Sequence, residues 1–434
     1  MWDFFATFLG YVKPSTLVAL EDRTLELLTS LDPYFWILIV LPIIRFQVPV
    51  LVAWVIHMVK PDFWMPASHT GREKKLPFVS VLIAGRNEED TIGATIKSVL
   101  NCGYPNLEII FVDDYSDDAT LFQARKYEKT GRVRIFASQS RNGKPSSLNI
   151  AISMARGEYF FIVDADSDVQ YGSIHDLLEP LKNPRVGAVA ANLRVRNATE
   201  NLCTRLQECE YALNVTMSRM WRAKVNLLSI VPGAGGMFRA SAVRALKGFD
   251  SGLGDDTDLT MRLLKAGWRL RFATGGIVWT NVPTRFRALA RQRMRWERNM
   301  VKIRIRKQRS LASPGLFGGI NTFMMIDLFA VRIFLPLMFV IGFLGMFLTG
   351  PFQGPMLLTH LYWITMVFSA LKLSIAHDIV GTPRSVGLWL VPIIPFYRLC
   401  LKLIVILAIS LEFLRIGIKH PYVPDKIWQQ MPHW

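Results

Sequence analysis

Long apolar runs near both ends of the chain limit its fold more than any other feature. Residues 34–59 form one such run, interrupted by two polar residues, and residues 320–349 and 356–375 form two more. Each is long enough for a helix to cross a bilayer. Residues 386–416 could hold another crossing, although prolines break that run. We expect one membrane span before the central part of the chain and about three after it.

The hydrophobic pattern changes between these runs, where short apolar segments alternate with amphipathic ones. Predicted strands comprise residues 78–83, 107–112, 133–137 and 159–163, and predicted helices comprise residues 90–100, 119–129 and 147–155. This alternation predicts an α/β fold with a mostly parallel sheet. Ligands of such sheets bind at the carboxyl ends of the strands. Side chains directly after each predicted strand are therefore the first candidates for a functional site.

The chain carries 51 basic and 34 acidic residues, a net charge of +17, which suits nucleic acid, anionic lipid or a polyanionic substrate. The densest basic run, residues 285–309, ends just before the C-terminal apolar block. Lys and Arg at such a position contact anionic head groups and mark the cytoplasmic side of a membrane. The charge therefore indicates membrane lipids as partners rather than nucleic acid. The four cysteines form no CxxC pair, which supports neither a zinc site nor a disulfide framework and fits a reducing cytoplasm.

These patterns divide the chain into four parts. Residues 1–75 contain an amphipathic segment at residues 16–31 and the first transmembrane span, without the features of a cleavable signal. The globular part follows at residues 76–284, a basic interfacial helix at residues 285–315, and C-terminal transmembrane helices at residues 316–434. We expect the globular part to lie in the cytoplasm.

Acidic and polar side chains follow the first two predicted strands. Ala84, Arg86 and Glu88 come after the first strand, and Asp113 and Asp114 come after the second. Carboxylates at neighbouring strand ends can accept hydrogen bonds from a base and from ribose hydroxyls, and can so bind a nucleoside. Turn formation and helix capping are the alternative, because Asp, Ser and Asn also begin helices.

Asp164 and Asp166 follow the buried strand at residues 159–163 and form a DxD pattern. Two carboxylates one residue apart suit a hard divalent cation such as Mg²⁺ or Mn²⁺, which can bridge to a diphosphate. The alternative is a polar loop formed together with Ser167 and Asp168.

Three carboxylates within four positions open a predicted helix at Asp255, Asp256 and Asp258. Capping needs one of them, so another can act as general base for a hydroxyl group, and Asp256 is our candidate. Gly235 lies in a glycine-rich turn where backbone can approach a ligand closely, with an ordinary loop as the alternative. Lys144 can place a cation near a phosphate, although a lone lysine is usually just solvated.

Gln292, Arg293, Arg295 and Trp296 lie on a predicted helix within the basic run. Guanidinium groups can hold phosphate bidentately, and an indole can stack on a sugar ring. The apolar stripe of the same segment also fits a helix on a membrane surface. Both interpretations can hold, on different faces of one helix.

Together these motifs resemble those of the processive family 2 glycosyltransferases, which include cellulose, hyaluronan, chitin-oligosaccharide and poly-N-acetylglucosamine synthases. The resemblance covers roughly residues 78–310 and rests on six motifs in family order: AGRNEE, VDDYSDD, GKPSSLN, DAD, GDDTDLT and QRMRW. It implies a GT-A-type nucleotide-sugar-binding domain embedded in an α-helical transmembrane part. It further implies a UDP-sugar donor, an inverting displacement with Mg²⁺ or Mn²⁺, and a polymer channel made by the chain's own membrane helices.

The resemblance also implies a role for each candidate residue. Nucleotide-sugar binding falls to Ala84, Arg86, Glu88, Asp113, Asp114, Lys144, Asp164, Gln292, Arg293 and Arg295. Asp164 and Asp166 would bind the metal, and Asp256 would be the general base. The acceptor would be bound by Trp296, Gly235 and Asp255. The expected donor is UDP-glucose or UDP-N-acetylglucosamine, and the expected acceptor is a growing polysaccharide. The expected location is a bacterial inner membrane, with accessory export proteins as further partners.

One departure concerns residues 231–236, which lack the cysteine often seen in the acceptor loop of the family, so the product stays open. No regulatory domain is expected after the membrane part. Two other functions remain: transfer of one sugar to a lipid or polyprenyl-phosphate acceptor, and a non-catalytic membrane subunit. The QRMRW motif counts against the first, and the complete set of acidic positions counts against the second.

Overall fold

The computed structural model describes residues 45, 47–60, 76–250, 255–338, 340–341, 353–380 and 387–414. The predicted amphipathic segment at residues 16–31 and most of the first predicted span lie outside these residues. Within them, an α/β domain is followed by a helical C-terminal part.

Among the described residues, eight strands form one sheet. They are β1 (Val79–Gly85), β2 (Leu107–Asp113), β3 (Val133–Ala137), β4 (Tyr159–Asp164), β5 (Asp168–Val169), β6 (Val186–Val195), β7 (Gly236–Arg239) and β8 (Arg269–Thr280). Their order in space is β3-β2-β1-β4-β7-β6-β8-β5. Strands β1 to β4 are parallel, as are β6 and β8, whereas β7 and β5 run antiparallel to their neighbours. The prediction of a mostly parallel sheet is confirmed, and its four predicted strands are β1 to β4.

Ten helices belong to the described N-terminal part and the α/β domain. They are α1 (Val48–Val59), α2 (Ile92–Leu100), α3 (Thr120–Arg125), α4 (Lys144–Met154), α5 (Ser173–Leu178), α6 (Leu202–Glu210), α7 (Met217–Lys224), α8 (Ala240–Ala245), α9 (Asp255–Lys265) and α10 (Phe286–Met300). Helix α4 begins earlier than predicted, because Gly143 turns the chain with a φ of 82° and Pro145 fits the first helical turn. Helix α3 is shorter than predicted and ends at Arg125.

Both faces of the sheet are buried at β1 and β4, which explains why these strands are nearly continuous apolar runs. In β1, Val81 and Ile83 belong to the core on one face, and Leu82 and Ala84 to the core on the other. Helices α2 and α5 cover the first face, and α4 and α9 cover the second. The ends of β1, β2 and β4 lie side by side, since Gly85 pairs with Asp113 of β2 and Ala84 pairs with Asp164 of β4.

The C-terminal part contains α11 (Pro314–Phe317), α12 (Gly319–Phe329), α13 (Gln353–Val380) and α14 (Ile394–Phe413). By length and composition, α14 is the one helix in the described ranges that could cross a membrane, with a mean hydropathy of 2.0. Helices α1 and α12 are apolar but shorter. Pro395, which interrupts the predicted run at residues 386–416, lies in the first turn of α14, where a missing N–H is tolerated.

A third apolar core joins the α/β domain to these helices. It includes Ala53 of α1, Leu289 of α10, Leu373 of α13 and Tyr397 of α14. The predicted basic helix forms α10 and continues as a π-helical turn, Val301–Lys307.

Some of the basic side chains at residues 285–309 form ion pairs inside the protein. Glu412 of α14 is 2% exposed and accepts hydrogen bonds from Arg298 Nε (3.0 Å) and Arg306 Nη1 (2.9 Å). These arginines therefore fasten α10 and its π-helical extension to α14, in addition to any contact with head groups.

A buried ion pair fastens α6 to the sheet. Arg194, near the end of β6, donates from Nε (3.0 Å) and Nη2 (2.8 Å) to Glu208 Oε1. The other carboxylate oxygen of Glu208 accepts from the N–H of Val195 (2.9 Å). Because both side chains are almost fully buried, removing one charge would leave the other without compensation.

We expect Glu208→Gln to lower the free energy of unfolding by about 3–5 kcal/mol, since it leaves the Arg194 guanidinium buried and unpaired. Thermal unfolding of the detergent-solubilised protein measures the change. Glu179→Gln is the matched control, because Glu179 pairs with Lys182 at the surface, where an ion pair contributes at most about 1 kcal/mol. Equal shifts in the two variants would contradict the assignment.

Candidate active site

The loops after β1 and β2 are bonded to each other. The N–H of Asn87 donates to Ser116 Oγ (3.0 Å), and Asn87 Oδ1 accepts from the N–H of Asp117 (3.2 Å). Arg86 Nε donates to the carbonyl oxygen of Tyr115 (3.1 Å). Asn87 and Tyr115 have φ angles of 56° and 61°, a left-handed conformation that is costly for most L-residues. Strained, mutually supported loops of this kind are typical of functional sites.

Asp113 and Asp114 both take part in holding these loops. Asp113 accepts from the N–H (3.1 Å) and the hydroxyl (2.5 Å) of Ser116. Asp114 accepts from the N–H groups of Asn142 (2.8 Å) and Gly143 (2.9 Å). Asp114 therefore fixes the start of α4, as the turn-forming alternative predicts, while each carboxylate keeps lone pairs for further bonds.

Carboxylates converge where β1 and β4 end. Lys144 Nζ contacts Asp164 Oδ1. Burial raises the pKa of Asp166, and the charge of Asp164 raises it further, against the opposing effect of Lys144. Burial also raises the pKa of Glu88, against a hydrogen bond from Thr91, and the charges of Asp166 and Asp164 add to that rise. These three carboxylates thus lie within electrostatic range of one another, and Lys144 contacts Asp164. A further cation would stabilise their charged forms.

Gly85 allows the DxD loop to lie against the end of β1. A Cβ at Gly85 would come 2.7 Å from the Cβ of Ala165, a distance too short for any side chain. Thr95 Oγ1 donates to the carbonyl oxygen of Ala165 (2.8 Å) and holds the loop from the other side. These two contacts determine where Asp164 and Asp166 lie.

Gly233 lies between Lys144 and Asp256. A Cβ at Gly233 would come 3.5 Å from Lys144 Nζ and 3.7 Å from Asp256 Cβ, and the N–H of Gly233 faces Asp256 Oδ2 at 3.4 Å. Asp258, in contrast, is buried in ion pairs with basic residues. Asp256 is therefore the carboxylate of this pair that is placed beside Lys144, and the side chain of Asp255 lies outside the described part of the chain.

Helix α10 brings the QRMRW motif to the same region. Arg293 Nη2 (3.0 Å) and the hydroxyl of Tyr397 (2.7 Å) both donate to Glu210 Oε2. The Arg293 guanidinium lies 4.3 Å from the ring centre of Trp296, which is 41% exposed. Gln292 Oε1 and Arg293 Nε are buried and have no hydrogen-bond partner within the described residues. Buried polar atoms of this kind are costly, so they suggest a ligand on this face of the helix.

The segment containing α6 and α7 connects α10 to Asp256, and the sequence analysis missed it. The phenol of Tyr211 lies within electrostatic range of both Arg293 and Arg219, and Arg219 lies within range of Asp256. Burial lowers the pKa of Arg219 to about 10, and its Nη1 has no hydrogen-bond partner within the described residues. The one signal in the sequence was Glu210, an acidic residue among the apolar positions of a helix.

Three other candidates lie apart from these groups or contribute less. Gly235 is buried, and a Cβ there would come 3.0 Å from the side chain of Ala191 on β6, so Gly233 takes the position beside Asp256 instead. Ala84 packs in the core under the sheet, which leaves its backbone as its contribution. Arg295 is partly buried on α10.

Comparisons with known proteins agree with this geometry. A family model described as "Glycosyltransferase like family 2" matches residues 77–299, more than half of the chain. A probable glycosyltransferase of Bacillus subtilis, YdaM, is 34% identical over 233 residues, which cover 52% of this chain and 56% of that protein.

Two further relatives are named for different products. A poly-β-1,6-N-acetyl-D-glucosamine synthase of Staphylococcus epidermidis is 28% identical, over 50% of this chain and 53% of its own length. A β-monoglucosyldiacylglycerol synthase of Nostoc is 32% identical, over 51% of this chain and 48% of its own length. The chain thus spans about half the length of the curated relatives it matches.

The fold has a solved counterpart. A mannosyltransferase from Pyrobaculum calidifontis, solved with GDP-mannose and Mn²⁺, superposes with a TM-score of 0.57 at 19% identity, covering 77% of this chain and 96% of that one. The resemblance supports the GT-A-like fold and not a substrate. Taken with the family match, it shows that the chain belongs to the family 2 glycosyltransferases.

Proposed function

We propose that this chain is a membrane-embedded, inverting glycosyltransferase that polymerises a UDP-sugar into a β-linked polysaccharide and passes the product across the membrane. The donor is UDP-glucose or UDP-N-acetylglucosamine, and the acceptor is the growing chain. One observation carries the proposal: Asp256, which lies beside Lys144, is linked through Arg219 and Tyr211 to α10, and α10 is packed on the apolar helix α14.

Donor binding is assigned to the strand ends. The loops after β1 and β2 would hold the nucleoside through Glu88, Asp113 and backbone groups, and Lys144 would neutralise the diphosphate. Gln292 Oε1 and Arg293 Nε, both without partners in the described residues, would complete the phosphate and acceptor contacts.

Asp164 and Asp166 are suited to hold Mg²⁺ or Mn²⁺. Their oxygens are the hard ligands these ions prefer, and the raised pKa of Asp166 reflects burial and the nearby charge of Asp164. Among the described residues, no three His, Cys, Asp or Glu side chains are arranged as a metal site. A bound diphosphate would supply the further oxygen ligands. When bound, the metal would stabilise negative charge on the departing UDP.

Asp256, which lies beside Lys144, is the general base of this proposal. It would take the proton from an acceptor hydroxyl while that oxygen attacks the anomeric carbon and the bond to UDP breaks, inverting the configuration. Trp296, exposed at the surface of α10, would stack on the acceptor sugar.

The division of the chain follows from the same proposal. Residues 76–284 form the cytoplasmic transferase domain, residues 285–315 the interfacial helix, and residues 1–75 and 316–434 the membrane part. The third apolar core, which joins α1, α10, α13 and α14, supports one continuous unit in which the acceptor could pass from the site into the helical part.

Transfer of one sugar to a lipid acceptor is the second candidate. The Nostoc relative, named as a glucosyldiacylglycerol synthase, favours it, because its similarity to this chain matches that of the polysaccharide synthase. Both functions use the same donor site and differ in the acceptor.

Product length distinguishes the two candidates. We expect purified protein in lipid, given UDP-glucose or UDP-N-acetylglucosamine with Mg²⁺ or Mn²⁺, to make a water-soluble product of many sugars, which linkage-specific hydrolases would then identify. A product extracted entirely into organic solvent and carrying one sugar would overturn polymerisation and support the lipid acceptor.

Asp256→Asn is expected to lower turnover by about 10²–10⁴-fold, because the acceptor proton loses its base, while the affinity for UDP stays nearly unchanged. UDP release and calorimetric UDP binding measure the two effects. Asp250→Asn is the matched control, since Asp250 forms a surface ion pair with Lys307. Unchanged turnover in the Asp256 variant would remove this residue from the proposed role.

Asp166→Asn is expected to weaken UDP-dependent Mn²⁺ binding by roughly tenfold or more, through loss of one charged oxygen ligand. Electron paramagnetic resonance of Mn²⁺ titrated into the protein with UDP measures this without turnover. Asp168→Asn serves as control, because Asp168 pairs with Arg196 (2.7 Å) instead. If both variants bound Mn²⁺ equally well, the assigned metal ligands would be wrong.

A further inference from the structure

Asp114, which follows β2, is buried and is bonded through both its backbone and its side chain. Its N–H donates to the carbonyl oxygen of Gly85 at the end of β1 (2.9 Å). Its Oδ1 accepts from the N–H of Asn142 (2.8 Å), and its Oδ2 accepts from the N–H of Gly143 (2.9 Å). The hydroxyl of Ser147 also donates to Oδ1 (3.3 Å). The carboxylate thus joins the end of β1 and β2 to one short segment, residues 142–147.

These bonds use most of the hydrogen-bonding capacity of the carboxylate. An ionised carboxylate offers about four lone-pair sites. Three donors of residues 142–147 already bond to Asp114, whose side chain is 6% exposed as part of a buried residue. Little capacity is left for the N–H of a base. Asp113 differs, because both of its bonds come from Ser116, and it keeps more capacity for a nucleoside.

The segment held by Asp114 is the start of α4. Gly143 is the N-cap residue, and it provides no side-chain cap for the helix. The N–H of Ser147 donates to the carbonyl oxygen of Gly143 (3.1 Å) and closes the first turn. Orphan N–H groups at a helix start need acceptors, and the Asp114 carboxylate supplies one from another strand. Asp114 therefore determines where the first residue of α4, Lys144, leaves the backbone.

Lys144 extends from this helix start to the DxD loop. Its Nζ contacts Asp164 Oδ1, and its side chain is 37% exposed. The same Nζ would lie 3.5 Å from a Cβ at Gly233, on the turn that faces Asp256. The ammonium group is thus accessible and lies where the proposed function requires positive charge for a diphosphate.

We propose that Asp114 is a positioning residue for the diphosphate of the donor, and that it acts through Lys144 rather than by binding the nucleoside. The carboxylate holds the start of α4, and the helix start places the ammonium group beside Asp164. The ammonium group then binds diphosphate oxygens. This inference rests on the proposed function, because it takes a nucleoside diphosphate as the ligand.

A double-mutant cycle tests whether Asp114 acts through Lys144. Calorimetry measures the binding of UDP with Mn²⁺ to the full-length wild-type chain, Asp114→Asn, Lys144→Ala and the double variant. We expect each single variant to weaken UDP binding by about tenfold, the effect of one hydrogen bond to a charged group. The double variant should bind UDP no more weakly than Lys144→Ala, because Asp114 has nothing to position once the ammonium group is removed.

Uridine separates a nucleoside contact from a diphosphate contact. Its affinity is measured by ligand-observed nuclear magnetic resonance, which suits weak binding and needs no turnover. We expect Asp114→Asn and Lys144→Ala to leave the affinity for uridine nearly unchanged. A carboxylate that bound the base would instead weaken uridine and UDP by the same factor, with or without Lys144.

Gly143→Ala tests the same link without changing a carboxylate. A Cβ at Gly143 would meet Pro145 Cδ at 3.9 Å, an ordinary contact, but the φ of 82° is unfavourable for alanine. The start of α4 should therefore shift, weakening UDP binding while uridine binding is kept. This variant also covers the case in which Asp114→Asn does not fold. Glu128→Gln, which removes an exposed charge after α3, is the control and should change neither affinity.

Three results would overturn this inference while leaving the proposed function in place. They are losses of UDP affinity that add in the double variant, weaker uridine binding by Asp114→Asn, and unchanged UDP affinity in Gly143→Ala. Failure of the wild-type chain to bind UDP at all would contradict the proposed function itself, and this inference with it.

Discussion

The buried contact between Arg293 and Glu210 holds the rest of the arrangement together. Glu210 ends α6, Arg293 lies within the QRMRW motif on α10, and Tyr397 on α14 donates to the same carboxylate oxygen. One carboxylate thus holds α6, α10 and the apolar helix α14 together at a single point. Removing one partner of a buried charge pair destabilises a protein by several kcal/mol. This contact therefore opposes separation of the three helices.

The parallel register of β1, β2 and β4 supplies the other half of the site. It places three loop starts side by side, and the small residues Gly85 and Gly233 let the loops approach each other. The result is a group of mutually repelling carboxylates, with burial and like charge raising the pKa of Glu88 and Asp166. Electrostatic repulsion of this kind is common where a protein binds a ligand of opposite charge. Here it suits a divalent cation bound with a diphosphate.

The sequence was sufficient for the strands that are buried on both faces. Predicted strands at residues 78–83 and 159–163 agree with β1 and β4 because continuous apolar runs leave few alternatives. The sequence was insufficient where hydrogen-bond partners are far apart in the chain. Glu210 is bonded to Arg293 and Tyr397, which lie 83 and 187 positions away, and no local pattern indicates such pairs.

The geometry of the loops could not be predicted from the sequence either. A glycine-rich turn does not reveal which glycine faces a ligand, and packing against β6 turns Gly235 away while Gly233 faces Asp256. Likewise, the hydrogen bonds of Asp114 depend on where the chain returns at Asn142.

In the proposed function, Glu210 is a positioning residue that would hold α10 near the donor site without touching the donor. The most direct test is Glu210→Gln, compared with the wild-type chain for calorimetric binding of UDP with Mn²⁺ and for single-turnover sugar transfer. Misplaced acceptor groups are expected to slow transfer by about 10²-fold while donor affinity is kept. Unchanged transfer, or a parallel loss of UDP binding, would contradict the account.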